Sequence, residues 1–223
     1  MSVKVKICGI RTLEAAKAAV DAGADFLGFN FVRSSKRFIR PLHAKKIIDI
    51  IRGKARIVGV FQDADLKEVN SIAKDLSLDF VQLHGGESEE YCMRAEAPVI
   101  KVFKLPADFS VQKALGTMTC YSIPLYMIDR ERRGEGDLLD LDRSRELASK
   151  FPLFFSGGLT SENVSNIVQT VRPFAVDVAG GIETDGKENL QKIQEFVVNA
   201  KSPSPSSSPD EARGGMGEGE TYL

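Results

Sequence analysis

Apolar, β-branched runs that alternate with amphipathic segments from end to end predict one α/β domain folded as a single (β/α)8 TIM barrel. Three observations carry this prediction. The runs number eight. The chain has 223 residues, 43% hydrophobic and 27% charged, within the range of one barrel with a substantial core. Glycine-rich turns directly follow several of the runs, where a barrel of this class builds its site. The count favours closure over an open, doubly wound sheet.

The strands are expected at Val3–Ile7, Asp25–Phe31, Arg56–Phe61, Phe80–Leu83, Val99–Phe103, Pro124–Ile128, Leu153–Ser156 and Ala175–Val178. Val3, Val5 and Ile7 alternate with Lys4 and Lys6, the period-2 signature of a strand, and Gly9 lets the backbone turn just after Cys8. Helical patterns follow at Thr12–Ala22, Pro41–Ile51, Ser161–Thr170 and Lys187–Asn199. Thr12 caps the first helix and Glu14 places a negative charge in its first turn, where the helix dipole favours it. Gly23 stops that helix by adopting positive φ. Thr160 or Ser161, ahead of Glu162 and Asn163, is the expected start of the seventh helix. Residues 1–200 form the barrel. From Lys201 the composition turns to Ser, Pro and Gly with almost no apolar side chains, so residues 201–223 are expected to be a disordered spacer.

A formal net charge of −1 with both signs mixed leaves no basic stripe for nucleic acid and no polybasic membrane patch. A small molecule is the expected partner. The N-terminus enters a strand with charges at Lys4 and Lys6, so no signal peptide is read, and no apolar run reaches membrane-spanning length. Three cysteines, Cys8, Cys92 and Cys120, are an odd number without metal-type spacing, which fits a reducing cytoplasm. With two histidines, His43 and His84, and no clustered carboxylate–histidine pattern, no metal is expected. An apolar helix face serves a dimer interface and barrel packing alike, so monomer and homodimer both remain open.

Function in a barrel is read from residues at the C-terminal strand ends. These are Cys8; Ser34-Ser35-Lys36-Arg37; Gln62 and Asp63; His84-Gly85-Gly86; Asp129 with Arg132-Arg133-Gly134-Glu135-Gly136; Ser156-Gly157-Gly158; and Asp177 with Ala179-Gly180-Gly181. The glycine pairs Gly157-Gly158 and Gly180-Gly181 fall in the two loops that commonly bind phosphate in this architecture, because glycine lets backbone N–H groups approach an anion. A phosphorylated metabolite is the expected substrate. Taken singly, Arg37 reads as a solvated charge, Asp129 as a loop cap and Asp177 as a structural acceptor. Cys92 and Cys120 read as packing residues, and Lys101 and Lys104 as ordinarily solvated.

Five ordered segments carry a resemblance: Lys6-Ile7-Cys8-Gly9-Ile10, Ser35-Lys36-Arg37-Phe38-Ile39, Val81-Gln82-Leu83-His84-Gly85, Ser156 to Val164 and Val171 to Val178. In order and spacing the chain resembles the phosphoribosylanthranilate isomerase family from about Val3 to Ala200. The resemblance implies a cofactor-independent Amadori rearrangement in tryptophan biosynthesis. It implies Asp129 as the general acid that opens the sugar ring and Cys8 as the general base that takes the C2 proton. It further implies Arg37 at the anthranilate carboxylate and Asp177 near the bridging amine. His84 itself reads equally as ordering its own loop or as lining the pocket.

That division of labour poses a protonation problem. Reference pKa values give about 3% thiolate and about 0.1% protonated aspartic acid at pH 7, a product of about 10⁻⁵. Burial in an apolar mouth is expected to raise Asp129, and a cation among Lys6, Lys36 and Arg37 to lower Cys8. One departure stands out. After the sixth strand the family usually carries a Gly-Ser/Thr-Gly-Lys loop, whereas this chain has Gly134-Glu135-Gly136-Asp137, whose carboxylates repel a phosphate dianion. Arg132 and Arg133 are expected to restore positive charge beside Gly134 and Gly136. Two other readings stay open at this point: another phosphosugar isomerase on the same barrel, or a catalytically silent barrel serving as a partner module.

Overall fold

Strand alternation sorts each segment's side chains between two environments. Val5 and Ile7 of the first strand join the large apolar cluster shared with the helices, and Lys6 and Cys8, on the opposite parity, turn toward the barrel axis. The computed structural model describes residues 2–131 and 138–202. Arg132, Arg133, Gly134, Glu135, Gly136, Asp137 and the tail beyond 202, on which the loop-charge and spacer expectations fall, lie outside the described residues.

Eight parallel strands close into a barrel: β1 (Lys4–Cys8), β2 (Phe26–Asn30), β3 (Arg56–Phe61), β4 (Phe80–Leu83), β5 (Val99–Leu105), β6 (Leu125–Arg130), β7 (Leu153–Phe155) and β8 (Ala175–Val178). Closure is made by β8 pairing with β1, so that Lys6 lies beside Phe26 of β2 on one side and beside Asp177 of β8 on the other. A helix follows every strand: α1 (Leu13–Asp21), α2 (Pro41–Ile51), α3 (Leu66–Leu76), α4 (Glu89–Met93), α5 (Val111–Met118), α6 (Leu141–Ala148), α7 (Val164–Val171) and α8 (Leu190–Lys201). The chain thus has the (β/α)8 architecture that its alternation predicts.

The lower barrel is filled by Phe26, Val58, Phe80, Ile100, Val102, Leu125, Met127, Phe154 and Ala175. The Phe26 ring meets Phe154 and Phe80 edge-on, with centroids 5.3 and 5.9 Å apart. Two residues further along these strands come Gly28, Gln82, Lys104, Asp129, Ser156 and Asp177, on the same inward parity. An apolar plug is therefore capped by a polar layer at the C-terminal end of the strands.

Thr12 caps α1 as expected, accepting from the Ala15 amide at 3.2 Å, and Gly23 has φ +93°. Two helix starts differ from expectation. Neither Thr160 nor Ser161 caps α7; it begins after Asn163, whose Oδ1 instead accepts from the Thr160 amide at 2.9 Å and closes the preceding loop. Lys187 and Glu188 are not helical, because Asp185 and Gly186, both with positive φ, form a tight turn between β9 (Glu183–Thr184) and β10 (Lys187–Glu188). Asn189 then caps α8, accepting from the Lys192 amide at 3.1 Å. Lys201 belongs to α8 rather than to the tail: its ammonium sits 2.9 Å from Asp25, which Lys4 also pairs at 2.9 Å.

Candidate active site

The polar layer opens into a cleft of about 770 Å³ at the C-terminal mouth of the barrel. Cys8, Arg37, His84, Asp129, Asp177, Gly157, Gly158, Gly180 and Gly181 all line it. The residues nominated one by one from the strand ends thus share one cavity.

Beneath the thiol lies a buried cluster that no single stretch of sequence announces. Lys6 is fully buried, and its Nζ donates to Asp177 Oδ1 at 2.6 Å, while Ser156 Oγ donates to Asp177 Oδ2 at 3.1 Å. Gly28 makes room for the cluster: a Cβ there would stand 2.8 Å from Cys8 Sγ and 3.1 Å from Lys6 Nζ. Burial disfavours the ammonium, yet Asp177 and Cys8 outweigh it and hold the Lys6 pKa above its ordinary value. Burial pushes the Cys8 thiol up; Lys6 and Arg37 pull it down, and Asp177 pushes it further up. The net direction is upward, the opposite of the expected depression. The cation is present, but its charge is already matched by Asp177, so it cannot offset the loss of water around the sulfur. Lys36 takes no part, since its exposed side chain points to Glu183, 3.4 Å away.

Asp177→Asn is therefore expected to lower the Cys8 pKa, because it removes a repelling anion and frees Lys6 for the thiolate. The pH dependence of alkylation by iodoacetamide in a Cys120→Ser background measures this. Cys92 interferes little there, because it packs in the core cluster, whereas Cys8 lines the open cleft. A midpoint that stays put or rises would contradict the cluster's role.

Arg37 is not a solvated charge. Its Nε and one terminal nitrogen both donate to the Glu183 carboxylate at 2.7 Å, and its side chain crosses Gly9, where a Cβ would overlap Arg37 Cδ at 2.5 Å. Gly9 has φ +83°, so it serves both the turn and this crossing. Glu183 was not nominated from the sequence.

Asp129 lies within β6 rather than after it, and its mouth is polar rather than apolar. Its Oδ1 accepts from the Arg130 amide at 2.8 Å, and Oδ2 stands 3.5 Å from His84 Nε2. Gln82 Nε2 meets His84 Nδ1 at 3.2 Å. A Gln82 amide that donates there would leave the histidine proton on Nε2, the nitrogen that faces Asp129.

The two glycine pairs converge. Gly157 and Gly158 have φ +90° and +79°, and Gly180-Gly181 open a 3-10 turn, Gly180–Ile182. A Cβ on Gly181 would overlap the Leu159 carbonyl oxygen at 1.9 Å, and one on Gly157 would meet Asp129 Oδ1 at 2.6 Å. Only glycine lets the loops after β7 and β8 touch. Gly181→Ala is expected to force them apart and raise KM at least about tenfold, with a smaller change in kcat, as loss of substrate anchoring requires. Steady-state kinetics check this, and an unchanged KM would remove the phosphate assignment from these loops.

Other readings are corrected. Lys101 is buried, donating to Glu87 Oε2 at 2.8 Å and to the Gly85 carbonyl at 2.6 Å, so it braces the loop behind His84 rather than being solvated. Lys104 is exposed and lines the cleft. Gln62 also faces the cleft, whereas Asp63 is tied to the Gly86 amide at 2.7 Å. Cys92 packs in the core, but Cys120 is exposed and is not a packing residue. Among the described residues, no group of three or more His, Cys, Asp or Glu is arranged to hold a metal ion. Lys6 and Ser156, named from the sequence only as a candidate cation and a strand-end residue, turn out to hold Asp177. Gln82 and Glu183 were missed. Inward parity on β4 signals Gln82; nothing local signals Glu183.

Known proteins of one family resemble this chain over most of its length. The family model described as N-(5'phosphoribosyl)anthranilate (PRA) isomerase matches residues 5–199. The N-(5'-phosphoribosyl)anthranilate isomerase of Geotalea uraniireducens (strain Rf4) is 40% identical over 204 residues, covering 89% of this chain and 98% of its own. A crystal structure of mutually generated monomers of the dimeric phosphoribosylanthranilate isomerase from Thermotoga maritima aligns with TM-score 0.79 and 34% identity, covering 89% of this chain and 98% of that one. The structure of a phosphoribosylanthranilate isomerase in complex with reduced 1-(o-carboxyphenylamino)-1-deoxyribulose 5-phosphate gives the same TM-score of 0.79 and 34% identity, over 89% and 98% of the two chains.

Proposed function

The chain belongs to the N-(5'-phosphoribosyl)anthranilate isomerase family, and from that membership we propose how its strand-end residues divide the work of the reaction. It is an isomerase of tryptophan biosynthesis that converts N-(5'-phosphoribosyl)anthranilate to 1-(2-carboxyphenylamino)-1-deoxyribulose 5-phosphate. The observation that carries the assignment of roles is the placement of Cys8 and Asp129 on one cleft, with the converging glycine loops of β7 and β8 in its wall.

Asp129 protonates the furanose ring oxygen, the C1–O bond breaks, and an iminium forms between C1 and the aryl nitrogen. The Cys8 thiolate then removes the C2 proton, its electron pair forms the C1–C2 double bond, and the iminium is discharged as an enolamine. Loss of the C2 hydroxyl proton and protonation of C1 complete the ketone. Asp129 ends the turnover one proton short and Cys8 one proton over, and exchange with solvent resets them. Arg37 holds the anthranilate carboxylate, and Asp177 accepts from the bridging amine with lone pairs that Lys6 and Ser156 leave free. The backbone of Gly157, Gly158, Gly180 and Gly181 holds the phosphate. No cofactor takes part in these steps.

The family's reaction sets aside a phosphosugar isomerase of another kind. The chain works in the cytoplasm, a reading supported by its three free cysteines. No helix among the described residues is long and apolar enough to cross a membrane. The direct test follows the fluorescence of freshly generated phosphoribosylanthranilate on addition of the wild-type protein. Its decay at a rate proportional to enzyme is the expected result; a folded protein that leaves the signal unchanged would favour the silent-barrel reading.

A further inference from the structure

The guanidinium of arginine presents two edges for a carboxylate, and in this chain one of them is already filled from within. Arg37 Nε and Nη2 both donate to Glu183, at 2.7 Å each, and the side chains concerned are only 12% and 7% exposed. The Nη1 nitrogen has no hydrogen-bond partner among the described residues. We propose that Glu183 is a positioning residue: by occupying the Nε edge of Arg37 it aims the remaining Nη edge at the carboxylate of the substrate. The inference rests on the reading that Arg37 binds that carboxylate.

Three features support it. Arg37 is laid between glycines, across Gly9 and within 3.3 Å of where a Cβ on Gly180 would stand, so its path is built rather than incidental. Glu183 is itself anchored, opening the β9–β10 hairpin just after the Gly180–Ile182 turn. That hairpin is in turn bound to Arg11, which donates from Nη2 to Glu188 Oε2 at 3.0 Å and to the Gly186 carbonyl at 2.7 Å. Hydrogen bonds from Arg37, with the nearby charge of Lys36, hold the Glu183 carboxyl below its usual value against the opposing effect of burial, so it stays charged across the neutral range. A long side chain held in advance need not be ordered on binding.

The test compares Glu183→Gln, Glu183→Asp, Arg37→Ala and the double variant Arg37→Ala/Glu183→Gln in KM, kcat and unfolding temperature. Glu183→Gln is expected to raise KM about tenfold, the equivalent of ordering one long side chain on binding, with kcat within about threefold. Glu183→Asp keeps the negative charge but shortens the reach, and it is expected to raise KM as well. The double variant is expected to have the KM of Arg37→Ala alone. A purely structural role would lower unfolding temperature and kcat together and would add to the Arg37→Ala effect; that result overturns the inference. An unchanged KM in Glu183→Gln beside a raised one in Arg37→Ala also overturns it and leaves the role of Arg37 standing. An unchanged KM in Arg37→Ala removes the premise and the inference together.

Discussion

Replacing Cys8 by serine is expected to lower kcat by about 10³-fold, within the range for loss of a positioned general base, and to leave KM within about threefold. The substitution keeps the size and polarity of the side chain, so the Lys6–Asp177 pair and the space beside Gly28 are undisturbed. What changes is the acidity of the group: an alcohol holds its proton far more tightly than a thiol, and Lys6 has no spare charge to compensate. Abstraction of the C2 proton then becomes the slow step. Substrate deuterated at C2 is expected to show a full primary isotope effect in Cys8→Ser. A kcat within tenfold of wild type would transfer the base to another residue, with Asp177 next in line.

Asp129→Asn is expected to reduce kcat by a comparable factor, about 10³-fold or more, for the opposite reason. The amide is nearly isosteric and still accepts from the Arg130 amide, so the polar wall is retained. It has no proton to give to the ring oxygen. Ring opening becomes limiting, and the C2 isotope effect is expected to vanish in this variant although it is full in Cys8→Ser. That opposition assigns the two residues to different bonds, which a simple loss of activity in both does not. If Asp129→Asn retained the isotope effect, the ring-opening proton would come from elsewhere, and His84, with Nε2 at 3.5 Å from Asp129, would be the first candidate.

Much of this site is legible in the chain because a strand has a period of two. Met127 and Leu125 fill the barrel, so Asp129 must point the same way, and the same rule carries Phe154 to Ser156 and Ala175 to Asp177. Applied to β1, it also turns Lys6 inward beneath Cys8. The glycine pairs are legible for a related reason: φ values of +79° and +90° suit glycine, as does a 1.9 Å approach to a carbonyl. The Asp185-Gly186 dipeptide is a legible two-residue turn signal too, but the helical pattern that starts at Lys187 hides the hairpin's second strand, Lys187–Glu188.

The sequence by itself determined the eightfold βα alternation, the inward set on each strand and the glycines where loops must touch. These depend on neighbours a few residues apart. Only the tertiary structure decided which charges meet. Lys6 and Asp177 are 171 residues apart and pair because β8 closes on β1; Arg37 and Glu183 are 146 apart and pair because the loop after β2 reaches the hairpin after β8. The direction of the Cys8 shift follows from the same closure. A pKa is set by the water excluded and the charges enclosed around a group, and neither exists until the barrel has formed.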